Sequence, residues 1–110
     1  MNIDQEYHDG VTVVIPHESL VGEDAEQFGQ VLTTVLSEDP RDVIVDATNI
    51  TQIDSRGLEV LADATEQLIR GGRVLKLTAA DQTLREILEL TEIASLFEYA
   101  DSVDFADEGI

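Results

Sequence analysis

The sequence contains no cysteine and no tryptophan, and six basic side chains face 24 acidic ones. Without cysteine there is neither a disulfide framework nor a thiolate metal site. A formal charge of −18 leaves no basic face for duplex phosphates, so no nucleic-acid partner is expected. Anionic membrane surfaces are repelled for the same reason. No apolar run approaches the about 20 residues of a membrane span, so direct membrane insertion is not expected either. Met1-Asn2-Ile3-Asp4 carries neither the basic patch nor the apolar core of a secretory leader. Together these absences point to a cytoplasmic protein. The acidity suits a solvated surface in a saline medium, where Lys76 is the one lysine among arginines. It also suits a basic protein partner, since opposite fields speed encounter.

What remains is the material of one packed domain. Hydrophobic residues make up 43% of 110 residues, enough for a single core over residues 1–110. Ile3, Gln5 and Tyr7 alternate with Asp4, Glu6 and His8, which predicts a half-exposed edge strand. His8-Asp9-Gly10 is a turn signal, and the β-branched run Val11 to Ile15 before Pro16 reads as a buried strand. Gly22-Glu23-Asp24 opens a helix with Ala25, Phe28, Val31, Leu32 and Val35 at helical spacing. Ser37-Glu38-Asp39-Pro40 ends it. Asp42 to Asp46 is a strand whose continuous apolar centre suits parallel pairing.

The helix after Asp54 is expected to bury Leu58, Leu61, Ala62, Thr65, Leu68 and Ile69, and to stop at Gly71-Gly72. Val74 to Leu77 reads as a fourth strand. Asp81 caps a third helix with Leu84, Ile87, Leu88 and Thr91 inward. Leu96-Phe97-Glu98-Tyr99 is a short last strand. Asp101 to Ile110 is acidic, with Val103 and Phe105 as anchors of a short helix or a tail. The order β-β-α-β-α-β-α-β predicts an α/β fold with parallel pairing through right-handed crossovers.

The stretch from Val43 to Leu58 carries the chemistry. A strand, a polar loop and a helix start bring together Asp54, Ser55, Arg56 and Gly57. A helix N-terminus has free N–H groups and a partial positive charge, so it tolerates anions. Asp54 and Ser55 compete for the cap. If Asp54 takes it, Ser55 points outward, within reach of a kinase. A phosphate there would add about −1.5 to −2 charges. Arg56 opposes the helix dipole and is placed to pair with Glu59 or Glu66 or to contact a partner. Asp54, Asp46 and Lys76 resemble a phospho-accepting aspartate with its helpers, but the acidic pair such sites need after the first strand is missing. His8 and His17 make no local metal motif, and Asp101, Asp104, Asp107 and Glu108 fail calcium-loop spacing. With no nucleophile elbow and no phosphate-binding loop, neither a catalytic residue nor a cofactor is expected.

The run Ile53-Asp54-Ser55-Arg56-Gly57-Leu58-Glu59-Val60-Leu61 resembles the signature of STAS domains, the anti-sigma-factor antagonists. The resemblance continues in Arg70-Gly71-Gly72-Arg73-Val74, in Arg85-Glu86-Ile87-Leu88-Glu89-Leu90-Thr91, and in Leu96-Phe97-Glu98 with Asp101-Ser102-Val103. It implies a mixed, mostly parallel sheet with an N-terminal antiparallel hairpin and helices packed on one side. It also implies a partner: an anti-sigma factor that is a serine kinase of the histidine-kinase-like ATPase type. In a typical member the dephosphorylated form binds that kinase and frees a sigma factor. Phosphorylation at the start of the second helix blocks the contact. The resemblance assigns partner binding to Asp54, Ser55, Arg56 and Gly57. The family's usual pattern has a second hydroxyl, the acceptor, where this chain has Arg56, which leaves Ser55 as the phosphorylation candidate. Glu92 replaces the glycine that often ends the third helix. A constitutive, unphosphorylated adaptor subunit of a transporter or signalling complex, similar to MlaB, is the alternative reading.

Overall fold

The computed structural model describes residues 2–8, 10–38, 42–73, 75–91 and 98–100, the last three by backbone alone. In chain order they form β1 (Ile3–His8), β2 (Val11–Pro16), α1 (Gly22–Glu38), β3 (Asp42–Asp46), α2 (Ser55–Arg70), β4 (Leu75–Thr78), α3 (Gln82–Leu90) and β5 (Glu98–Ala100). The strands make one sheet in the order β1-β2-β3-β4-β5. β1 and β2 pair antiparallel from Ile3↔Pro16 to His8↔Val11, closing a hairpin through Gly10 at φ 82. β2, β3, β4 and β5 pair parallel, as expected of strands separated by crossover helices. The element order and the mixed sheet therefore match the expectation from sequence.

Pairing register sets the two faces of the sheet. Val14, Val45 and Leu77 lie side by side across β2, β3 and β4, as do Thr12, Val43 and Leu75. That face joins one core with Phe28, Leu32 and Val35 of α1, Leu61, Ala64 and Leu68 of α2, and Leu84 and Leu88 of α3. The three helices thus pack on one side. The alternate residues Val11, Val13 and Ile44, with Ile15 beside them, form a separate cluster on the opposite face. Strand β1, at the edge, packs Ile3 against the core and carries Asp4, Glu6 and His8 on alternate positions, charge that blunts edge-to-edge pairing.

Burial along the helices corrects three expectations. Ile69 was expected inside α2 but is 51% exposed, while Leu61, Ala64, Thr65 and Leu68 form its buried stripe. Ile69 is one residue, about 100°, past Leu68 and has turned out of that stripe. Ala64 stands where Ala62 was expected, for the same reason. Thr91 is also exposed: it ends α3, and its hydroxyl donates back to the Ile87 carbonyl at 2.9 Å. Asp81 does cap α3, accepting from the Leu84 N–H at 2.8 Å. Gly71-Gly72 stops α2 as expected, with the Arg73 N–H donating to the Leu68 carbonyl at 2.8 Å. Glu92, Leu96, Phe97 and Asp101 to Ile110 lie outside the described residues.

Candidate functional site

Neighbouring parallel strands leave their following loops side by side. The loop from β2 to α1 and the loop from β3 to α2 are therefore adjacent, and the structure zips them together. The Leu20 N–H donates to the Gln52 carbonyl at 3.1 Å, and the Asp54 N–H donates to the Leu20 carbonyl at 3.2 Å. Leu20 and Ile53 make an isolated parallel bridge. The Ser19 hydroxyl accepts from the N–H groups of Thr51 at 3.2 Å and Gln52 at 3.0 Å. Two loops that would otherwise be held only at their ends thus share a backbone ladder.

Asp54 completes the zipper and resolves the competition for the cap. Its Oδ1 accepts from the Gly57 N–H at 3.0 Å, which caps α2. Its Oδ2 accepts from the Gly22 N–H at 2.8 Å, at the first residue of α1. One carboxylate thus joins the N-termini of two helices. The Gly22 amide, then the Gly57 amide, hold the Asp54 carboxyl below the usual carboxylate range. The Arg56 amide and charge act in the same direction against partial burial.

Gly57 is required by the closeness of these loops. A Cβ there would lie 2.7 Å from Ile53 Cγ1 and 2.9 Å from Leu20 Cβ, and nearer still to the Leu20 carbonyl oxygen. The pattern Asp-Ser-Arg-Gly thus has a structural division. Asp54 and Gly57 face inward and build the junction. Ser55 and Arg56 face out.

Ser55 is the first residue of α2, exposed, and its hydroxyl takes no hydrogen bond among the described residues. Arg56 pairs with neither Glu59 nor Glu66, as the sequence suggested, but with Glu26 of α1, Nη1 to Oε1 at 3.4 Å. The reason is the side-by-side packing of the two helices: Glu26, one turn into α1, comes opposite the first turn of α2. Both side chains are more than half exposed, at 54% and 59%, so the pair contributes little to stability.

The other candidates separate from this site. Asp46 spends one oxygen on the turn after β3, accepting from the Thr48 N–H at 3.0 Å and from its hydroxyl. Lys76 sits within β4 beside Ile44, on the face away from the helices. The arrangement expected of an aspartate phosphoacceptor is therefore not assembled around Asp54. His8 faces Glu6 at 3.2 Å, and His17 faces Asp4 at 2.7 Å. No group of three metal-binding side chains forms among the described residues. No described helix is long and apolar enough to cross a membrane.

Ser19, Gly22 and Glu26 belong to this surface and were not expected from sequence. The available signal was topological: strands that pair in parallel present consecutive loops at the same edge of the sheet.

The chain resembles known proteins along nearly its whole length. The sequence profile of the STAS domain matches residues 2–106. A Thermotoga maritima protein described as an anti-sigma factor antagonist superposes with a TM-score of 0.88 at 20% identity, over 98% of this chain and 93% of its own. An anti-sigma-factor antagonist (STAS) domain protein from Planctomyces limnophilus gives 0.85 at 19% identity, over 97% and 96%. An anti-sigma factor antagonist from Mycobacterium paratuberculosis gives 0.81 at 24% identity, over 99% and 92%. No curated protein matches the sequence.

Proposed function

Because the chain belongs to the STAS domain family, we propose that it is an anti-sigma-factor antagonist acting in the cytoplasm as a single-domain binding module. Its partner in this reading is an anti-sigma factor of the histidine-kinase-like serine kinase type. The contact is made by the joined N-termini of α1 and α2. Asp54 and Gly57 set the shape of that surface, and Ser55 and Arg56 touch the partner.

One observation carries this reading: Asp54 takes the cap, so the Ser55 hydroxyl is left exposed and unengaged at a helix start. An exposed hydroxyl at that position can accept a phosphate. The new charge would sit where the helix dipole favours it and where a docked partner would have to bury it. Binding is then lost through desolvation and bulk, without any change of fold.

The test joins binding and chemistry. The chain is mixed with the kinase-like anti-sigma factor of its own organism, first without and then with Mg-ATP. Calorimetry should give a saturable complex, and intact-mass analysis should find one phosphate on Ser55. Ser55→Asp should weaken the complex about tenfold or more.

Arg56 supports a second reading. The acceptor position of the family pattern has no hydroxyl here, which fits a constitutive adaptor subunit that docks through the same surface without a covalent switch. A complex that forms equally well with Ser55→Asp, together with an unmodified mass, selects this reading.

A further inference from the structure

The outer side of the α1/α2 pair carries a groove of about 700 Å³. It starts where the proposed docking surface ends, since Glu26 both pairs with Arg56 and lines the groove. The floor is set by Gly29, where an added Cβ would lie 2.9 Å from Val60 Cγ2. The two helices meet closely there and their outer side chains stand apart above it. The walls are Glu26, Gln30 and Thr33 from α1, and Asp63 and Gln67 from α2. The lining contains two carboxylates, amide and hydroxyl groups, the apolar side chains of Leu32, Leu36, Val60 and Ala64, and, among the described residues, no basic side chain.

We propose that this groove receives a lysine- or arginine-bearing segment of a partner protein. The choice of occupant follows from charge. With Glu26 paired to Arg56, Asp63 gives the groove the sign of the whole chain, formally −18. A second copy of the chain would bring the same sign and is repelled, as are nucleic acids and anionic lipid. A cationic polypeptide is attracted at long range; it can meet Asp63 directly and share Glu26 with Arg56, while the amide and hydroxyl walls supply hydrogen bonds. The proposal does not rest on Ser55 or on a kinase. It concerns a surface further along the same helices, and a constitutive adaptor could use it equally.

The test uses the full chain, labelled with nitrogen-15, and two synthetic peptides. One is an amphipathic helix of lysine and leucine; the other has glutamate in place of each lysine. At 0.15 M salt the lysine peptide should shift the amide signals of Gly29, Gln30, Asp63 and Gln67. The glutamate peptide should shift none of them. Asp63→Lys, at an exposed position where the fold is not at risk, should lower the affinity about tenfold without lowering the melting temperature. Shifts spread over the acidic edge strand at Asp4 and Glu6, or an affinity indifferent to Asp63→Lys, would overturn the proposal. So would the absence of binding. None of these outcomes bears on phosphorylation of Ser55, which is read by mass.

Discussion

The Asp54 carboxylate and the Gly22 amide are 32 residues apart in sequence and 2.8 Å apart in space. This bond joins the first residue of α1 to the cap of α2, and it sets the relative position of the two helix starts. Removing the carboxylate leaves the N–H groups of Gly22 and Gly57 unpaired at once. Asp54→Ala should therefore lower the melting temperature by several degrees. Asp54→Asn, which keeps one acceptor oxygen, should fall between it and the native chain. Differential scanning calorimetry of the three proteins checks the order.

The same carboxylate sets a pH dependence. Its folded pKa is depressed, first by the Gly22 amide and then by the Gly57 amide. A depressed acid contributes stability that is complete above its unfolded pKa of about 3.9 and is lost as pH falls through the folded value. The gap in melting temperature between the native chain and Asp54→Ala should thus hold steady from pH 7 to about pH 5 and narrow below about pH 4. A gap that widens on acidification would contradict this assignment.

Gly57→Ala tests the closeness of the two loops. The new methyl meets Leu20 backbone and the Ile53 side chain, and backbone cannot rotate away. The expected cost is about 1–3 kcal/mol, measured by urea unfolding. Helix propensity alone would favour alanine by about 1 kcal/mol, so the sign of the change separates crowding from propensity.

Arg56 should behave in the opposite way. Its ion pair with Glu26 is exposed on both sides, so Arg56→Ala should change stability by less than about 0.5 kcal/mol. Partner affinity should nevertheless respond. A large loss of stability would show that Arg56 holds the two helices together and is not a free contact residue.

A chain of formal charge −18 also repels itself. Raising salt from 0.1 to 1 M shortens the screening length from about 10 to about 3 Å. The melting temperature should rise over that range in sodium chloride, and the exposed Arg56–Glu26 pair is too weak to reverse the trend.

Much of this architecture was legible in the residues. The apolar run of β3, the cap at Asp81 and the stop at Gly71-Gly72 are local signals, and each acts within a few residues. The four-residue pattern from Asp54 to Gly57 was visible as a candidate site for the same reason. Its internal division was not. Asp54 rather than Ser55 caps α2, and its second oxygen holds the Gly22 amide at the start of α1, a partner 32 residues away that no local pattern displays. The partner of Arg56 likewise comes from another helix, so neighbours in sequence such as Glu59 misled. Ile69 was misplaced because a single turn offers two adjacent apolar residues, Leu68 and Ile69, of which only one can face the core, and Thr91 because it falls on the cap that ends α3.

The central claim is that Ser55 and Arg56 form the contact face of a surface that Asp54 and Gly57 merely shape. The most direct measurement is the dissociation constant of the histidine-kinase-like anti-sigma factor for the native chain and for the double variant Ser55→Asp with Arg56→Ala, with both melting temperatures recorded. The account predicts affinity weakened about tenfold or more at unchanged stability. Equal affinity for the two proteins, each folded, would contradict it.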